Sequence, residues 1–247
     1  SHATVRSVCP KIIADKISMD TIEKKKFKLS LVIPLLLVLF LWLVAALDIL
    51  AELELYKFGI YPRRLKGLVG IVLAPLVHGG IKHLFANTLP LIILGTAINF
   101  FYRALAYKIV VLVWLLTGVM VWIFGRDSYH IGASGIIYGI ASFLFFSGVV
   151  RGNIRLAALS LIVVFLYGGL VWGIFPFSSG VSWESHFFGG FWGLITAIYY
   201  RNEGPTTKHN FWLNSFADEV DEDENSDEDP YWADDSSLTE NEKQLTK

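Results

Sequence analysis

The chain alternates between long apolar runs and short polar connections. Six runs reach the roughly 17 to 25 uncharged residues that a helix needs to cross a bilayer: 29–47, 83–102, 109–125, 131–150, 156–174 and 185–200. The fifth run stays uncharged through Trp183, so its end is set by Pro176 and the turn-forming Ser178-Ser179-Gly180. The pattern predicts an all-α membrane protein of six transmembrane helices. Residues 1–28 read as a basic arm, 29–201 as the membrane domain with a long 48–82 connection, and 202–247 as an acidic tail.

Composition agrees with a membrane protein: 54% of the 247 residues are hydrophobic, 17% are charged, and the mean hydropathy is +0.52. The distribution of Lys and Arg then orients the spans, because basic connections are retained on the cytoplasmic side. The arm carries Arg6, Lys11, Lys16, Lys24, Lys25, Lys26 and Lys28, and Arg103 with Lys108, Arg151 with Arg155, and Arg201 with Lys208 follow at alternate connections. Both termini are thus expected in the cytoplasm. The opposite connections are poor in basic residues, apart from 48–82, and long loops obey the charge rule weakly. Trp122, Trp172 and Trp183 fall near the expected outer interface.

The basic arm precedes a full-length apolar run with no clear small-residue cleavage site, so the first span reads as a retained anchor. Cys9 is the only cysteine, which excludes an intrachain disulfide. Asp218 through Asp229 is mostly acidic; the tail reads as a disordered cytoplasmic extension, with docking of a cytoplasmic partner as its functional alternative. Its charge also argues against nucleic acid.

With this orientation the even-numbered spans start at a common depth, and the polar residues sit at those starts. His83 and Asn87 open the second span, Ser134 the fourth and His186 the sixth. Ionisable and polar groups inside a bilayer cost free energy unless they are used or paired. Ser134 alone reads as a small packing residue and His186 alone as an interfacial histidine; their matched depth points instead to a nucleophile and its base. His83 and Asn87 lie four apart on one helix face, where interhelical hydrogen bonding is the plainer role. Asn87, His83 and the Ser134 amide are candidate donors to an oxyanion. Tyr138, four residues beyond Ser134, is placed to support the imidazole. Gly135 with Gly139, and Gly189 with Gly193, have the small-xxx-small spacing that lets helices approach closely.

Other chemistries find less support. Glu184 is two residues from His186 and expected to face elsewhere, and Asp127 is in a connection, so the expectation is a dyad and not a triad. There is no His-Glu-x-x-His sequence, no Gly-rich phosphate loop and no acidic pair within the spans. His78 and His130 could join His83 and His186 around a metal, but no carboxylate or cysteine accompanies them, so no metal or cofactor is expected. The half-structures and broken helices of a transporter are not evident either.

At His83-Leu84-Phe85-Ala86-Asn87, Gly132-Ala133-Ser134-Gly135 and His186 followed by Gly189 and Gly193, the chain resembles the rhomboid family of intramembrane serine proteases over about residues 29–201. The resemblance implies a six-helix bundle with Ser134 as nucleophile, His186 as base and Tyr138 stacked on it. Asn87, His83 and the Ser134 amide, beside Gly132, would form the oxyanion site. Substrates would be single-span membrane proteins cut near the outer end of the span. The 48–82 connection, with Tyr61-Pro62-Arg63-Arg64 and Gly67-Leu68, looks like the first loop of many bacterial members, which implies a bacterial plasma membrane. A catalytically idle relative that binds client transmembrane helices is the alternative.

Overall fold

The computed structural model describes residues 2–152, 157–159, 161–162, 175 and 180–203, with side chains from residue 21 onward. Over these residues the protein is helical, comprising α1 (His2–Ala51), α2 (Gly70–Leu73), α3 (Ile81–Phe101), α4 (Ala106–Phe124), α5 (Ser134–Val150) and α6 (Trp183–Tyr199). Among the described residues three stretches are long and apolar enough to cross a membrane: Thr21–Ala51 within α1, α3 and α4. The runs at 83–102, 109–125, 131–150 and 185–200 coincide with α3 to α6 to within about one turn. The first differs more, because α1 passes without a break through the basic arm. Lys and Glu are good helix formers, so the change from charged to apolar alters what the helix faces and not its backbone. The fifth run lies outside the described residues apart from 157–159 and 161–162, which are helical, and so does 204–247.

α5 is the post around which the others stand. From Ser134 to Ala141 every residue is buried, followed by Phe143, Leu144, Ser147 and Gly148. A helix apolar on all sides needs neighbours on all sides, and α3, α4 and α6 supply them. Leu84, Leu94 and Ile98 of α3 join Ile109 and Val113 of α4 and Ile137, Phe143 and Leu144 of α5 in the core. α1 packs on α3: the face of Gly95 is filled by the Pro34 ring, and Trp42 Nε1 donates to Thr88 Oγ1 at 3.0 Å.

α5 and α6 meet with almost nothing between their backbones. A methyl group built on Gly189 would overlap the Gly135 carbonyl, and one on Gly193 would overlap the Gly139 carbonyl. Gly139 in turn receives Val113 of α4, and Gly135 lies against Ser185 and Thr117. Ser142 Oγ adds a bond across the helix pair to the Gly190 carbonyl at 2.6 Å.

The 48–82 connection carries α2 and 3₁₀ turns at Leu55–Phe58, Leu65–Gly67 and Ala74–Leu76. Its anchor is Arg63. The guanidinium caps the end of α4 at the Gly125 carbonyl (2.7 Å) and the Ile123 carbonyl (3.3 Å) and pairs with Asp127 at 2.6 Å. Trp122 reciprocates: its carbonyl accepts the Arg63 N–H at 2.9 Å, and its Nε1 donates to the Arg64 carbonyl at 3.0 Å. Beyond it, Ile60 and His130 exchange both backbone bonds at 2.9 Å, tying the connection to the segment that leads into α5.

From the sequence alone, Gly189→Ala is expected to be tolerated better than Gly189→Leu. The overlap with a backbone oxygen begins at Cβ, so Gly189→Ala is already expected to cost about 1–3 kcal/mol or more. Nothing lies within 4 Å of a methyl at Gly190, so Gly190→Leu should melt close to wild type. Thermal unfolding of the two purified variants checks the ranking; equal melting temperatures would contradict this packing.

Candidate active site

Ser134 is the first residue of α5 and His186 stands in the first turn of α6. Both are buried, and His186 Nε2 lies 2.8 Å from Ser134 Oγ. The Tyr138 ring stacks on the imidazole with centroids 4.1 Å apart and planes within 8°. Two of the imidazole's rotational freedoms are thereby restricted: the hydrogen bond fixes one ring edge and the phenol one ring face.

The turn before α5 brings the second group in. Gly132 has φ +102, a region that L side chains rarely adopt, and a methyl there would lie 2.6 Å from His83 Cε1 and 3.6 Å from Asn87 Nδ2. Only glycine lets the backbone pass this close to both. His83 Nδ1 accepts the Gly79 N–H at 3.5 Å, so the neutral ring carries its proton on Nε2, the atom beside Gly132. Asn87 is buried, and its Nδ2 makes no hydrogen bond among the described residues. A buried amide without an acceptor is costly. Both groups therefore present donors beside the turn that carries Ser134. The Ser134 amide belongs to the first turn of α5, whose N–H groups have no partner in the helix's own ladder.

In this arrangement a hydroxyl has a base within hydrogen-bond reach and three donors nearby, which is the equipment for attack on a carbonyl. Beside it lies a cavity of about 20 Å³ bounded in part by Thr117, His130, Gly132, Gly135 and Ser185. That is room for one water.

Comparison with known proteins gives the family. A family model of the Rhomboid domain matches residues 66–203. The chain belongs to the rhomboid family. Its relatives include uncharacterized proteins of Mycobacterium tuberculosis and Mycobacterium bovis, each 34% identical over 166 residues, covering 64% of this chain and 69% of the relative. Rhomboid-related protein 2 of Mus musculus is 30% identical over 131 residues, covering 48% of this chain and 43% of that protein. Family membership and the three long apolar helices make it a membrane protein.

Three residues that the sequence weighs only as metal ligands or as an orienting carboxylate find other partners. The Nε2 of His78 faces the Ala133 N–H at 3.5 Å, and its ring packs edge-on against His83 with centroids 5.1 Å apart. The loop between α4 and α5 is thus held by a side chain from the 48–82 connection as well as by the Gly132 N–H bond to the Ala74 carbonyl at 2.8 Å. His130 faces α6, with Nδ1 2.7 Å from Ser182 Oγ. Glu184 is buried, with Oε1 3.6 Å from Arg126 Nε and 3.3 Å from the Arg126 amide nitrogen. No spacing rule marks these residues, because their partners come from distant connections.

Burial, and next to it the neighbouring His83, pushes His78 down to about 4 from the usual histidine value. The folded state therefore prefers the neutral ring that accepts from Ala133. The stabilisation is fully present above about pH 6.5 and is lost as pH falls toward 4, by up to about 3 kcal/mol in all. Melting temperatures measured across that range should fall for the wild type and fall less for His78→Gln, which keeps an acceptor but does not titrate. Parallel curves would remove His78 from the acid response.

Proposed function

We propose that this rhomboid protein is an intramembrane serine endopeptidase, with Ser134 as nucleophile and His186 as general base. The observation that carries the reading is the buried 2.8 Å contact between His186 Nε2 and Ser134 Oγ. Neutral His186 takes the hydroxyl proton as Ser134 Oγ attacks the substrate carbonyl. Asn87 Nδ2, His83 Nε2 and the Ser134 amide then stabilise the oxyanion. The imidazolium returns its proton to the leaving amine, and a water activated by the same base releases the acyl group from Ser134.

In this reading six helices cross the membrane with both termini in the cytoplasm, in the plasma membrane of a bacterium. α5, with only 17 residues, is roughly 26 Å long and shorter than the hydrocarbon layer. Ser134 then lies below the outer surface, where irregular backbone survives only if protein satisfies it. The bonds from Ile60, Ala74 and His78 to the 130–133 segment meet that requirement. Substrates are the transmembrane segments of other proteins, locally unwound near their outer ends, because a helix already hydrogen-bonded in lipid resists proteolysis. The acidic tail is a cytoplasmic extension that can recruit a partner and takes no part in the reaction. The alternative, a client-binding protein without activity, gives no reason to keep Ser134, His186 and Asn87 together.

The decisive experiment is labelling by a fluorophosphonate together with cleavage of a single-span substrate. Wild type should react at Ser134 and cleave. Ser134→Ala and His186→Ala should do neither while remaining folded, and the double variant should be no worse. Substantial cleavage by Ser134→Ala would exclude the dyad. Asn87→Ala should lower kcat toward the modest end of the 10²–10³-fold range for a lost oxyanion donor, since two other donors remain. A raised KM with unchanged kcat would place Asn87 in substrate binding instead.

A further inference from the structure

A second Ser–His pair lies beside the first. His130 Nδ1 is 2.7 Å from Ser182 Oγ, and these residues stand four positions before Ser134 and His186 respectively. The histidine of one pair therefore precedes the serine of the other on the same segment. The segment entering α5 and the segment entering α6 are joined twice, crosswise, at 2.7 Å and 2.8 Å.

The outer pair has a determinate polarity. His130 Nε2 is 3.1 Å from the Arg126 carbonyl, which can only accept, so Nε2 carries the proton of the neutral ring. Nδ1 then accepts the Ser182 hydroxyl, and Ser182 Oγ in turn accepts from Ser185 Oγ at 2.7 Å. Around this chain sit the charged groups that face His130: Arg126 from its own loop and Glu184 from α6. Arg126 pairs with Glu184 and also donates to the Val181 carbonyl. Glu184 Oε2 is 3.9 Å from His130 Nδ1 and makes no hydrogen bond among the described residues. The 48–82 connection meets His130 with backbone, through the paired Ile60. His130 is 1% exposed and Glu184 3%, so neither is a solvated surface group.

We propose that His130 and Ser182 are positioning residues that hold the start of α6, and with it His186, against Ser134 only while His130 is neutral. This rests on the protease reading above. A proton on His130 turns Nδ1 into a donor, so the Ser182 hydroxyl loses its acceptor: either its proton is left without a partner while Oγ accepts from both neighbours, or it turns toward Ser185 and the Ser185 proton loses its acceptor instead. Glu184 Oε2 competes for the new donor. The clamp thus loses its single arrangement, and a displacement of about 1 Å at the dyad is enough to cost about 10²-fold in rate. Burial holds His130 below the usual histidine value, the Arg126 carbonyl and Glu184 opposing it, so the clamp is closed at neutral pH and opens on acidification.

The test is the acid limb of kcat/KM for the full-length protein on a single-span substrate, in wild type, His130→Asn and Ser182→Ala. The wild-type limb should be steeper by one proton, that of His130, than the limb of His130→Asn, whose amide replaces Nδ1 by an acceptor that does not titrate. Ser182→Ala removes the clamp at every pH; its kcat should fall by about tenfold to 10²-fold with KM little changed, and its limb should be as shallow as that of His130→Asn. Limbs of equal steepness in wild type and both variants would overturn the clamp. Fluorophosphonate labelling of Ser134 on the same wild-type sample separates the two ideas: labelling with identical limbs rejects only the clamp, whereas no labelling rejects the protease reading beneath it. If His130→Asn fails to fold, Ser182→Ala decides alone.

Discussion

Two helix backbones in direct contact set the scale of this site. α5 and α6 touch where Gly135 meets Gly189 and Gly139 meets Gly193, with carbonyl oxygens filling the space that side chains would take. Lipid gives apolar helices little reason to prefer each other, so close van der Waals packing has to hold them. Ser134 is adjacent to the first glycine of one row, and His186 is one turn before the first glycine of the other. The helix separation therefore fixes the distance between their side chains. A wider pair with a methyl at Gly189 or Gly193 would carry Nε2 away from Oγ, and Tyr138, stacked on the same ring, would follow the wrong helix.

The helix pair sets the distance, but the connections set the level at which each helix begins. Ser134 opens α5 because Gly132 turns there with a positive φ, and Gly132 turns there because Ala74, His78 and Ile60 take up the backbone groups around it. That loop is held in turn by Arg63, which closes the end of α4, and by Trp122. The 48–82 connection is thus the frame for the entry to α5. His83 and Asn87 reach the same point from α3, which follows directly from that connection.

Most of this was legible in the residues. Apolar runs gave α3 to α6 to within about a turn, since a membrane helix announces itself by length. The depth argument brought together Ser134, His186, His83 and Asn87, and Tyr138 followed from its spacing to Ser134. What stayed hidden were contacts made by irregular backbone. Nothing in Tyr61-Pro62-Arg63-Arg64 says that Arg63 caps a helix some sixty residues away. Spacing on the helix separates Glu184 from His186 but does not reveal its partner, Arg126, which comes from another connection. The same limit applies to glycine: spacing indicates close approach, but not that the approach leaves no room even for alanine at Gly189.

The central claim is that Ser134 and His186 act on one carbonyl. A peptidyl chloromethyl ketone tests this directly, because the serine adds to its ketone while the histidine is alkylated by the adjacent carbon. Because the hemiketal with Ser134 reverts on unfolding and the alkyl bond to histidine does not, peptide mapping of the inactivated protein should find the inhibitor on His186, and Ser134→Ala should be alkylated there far more slowly or not at all. Inactivation with the label on another residue, or equally fast alkylation of His186 in Ser134→Ala, would contradict the account.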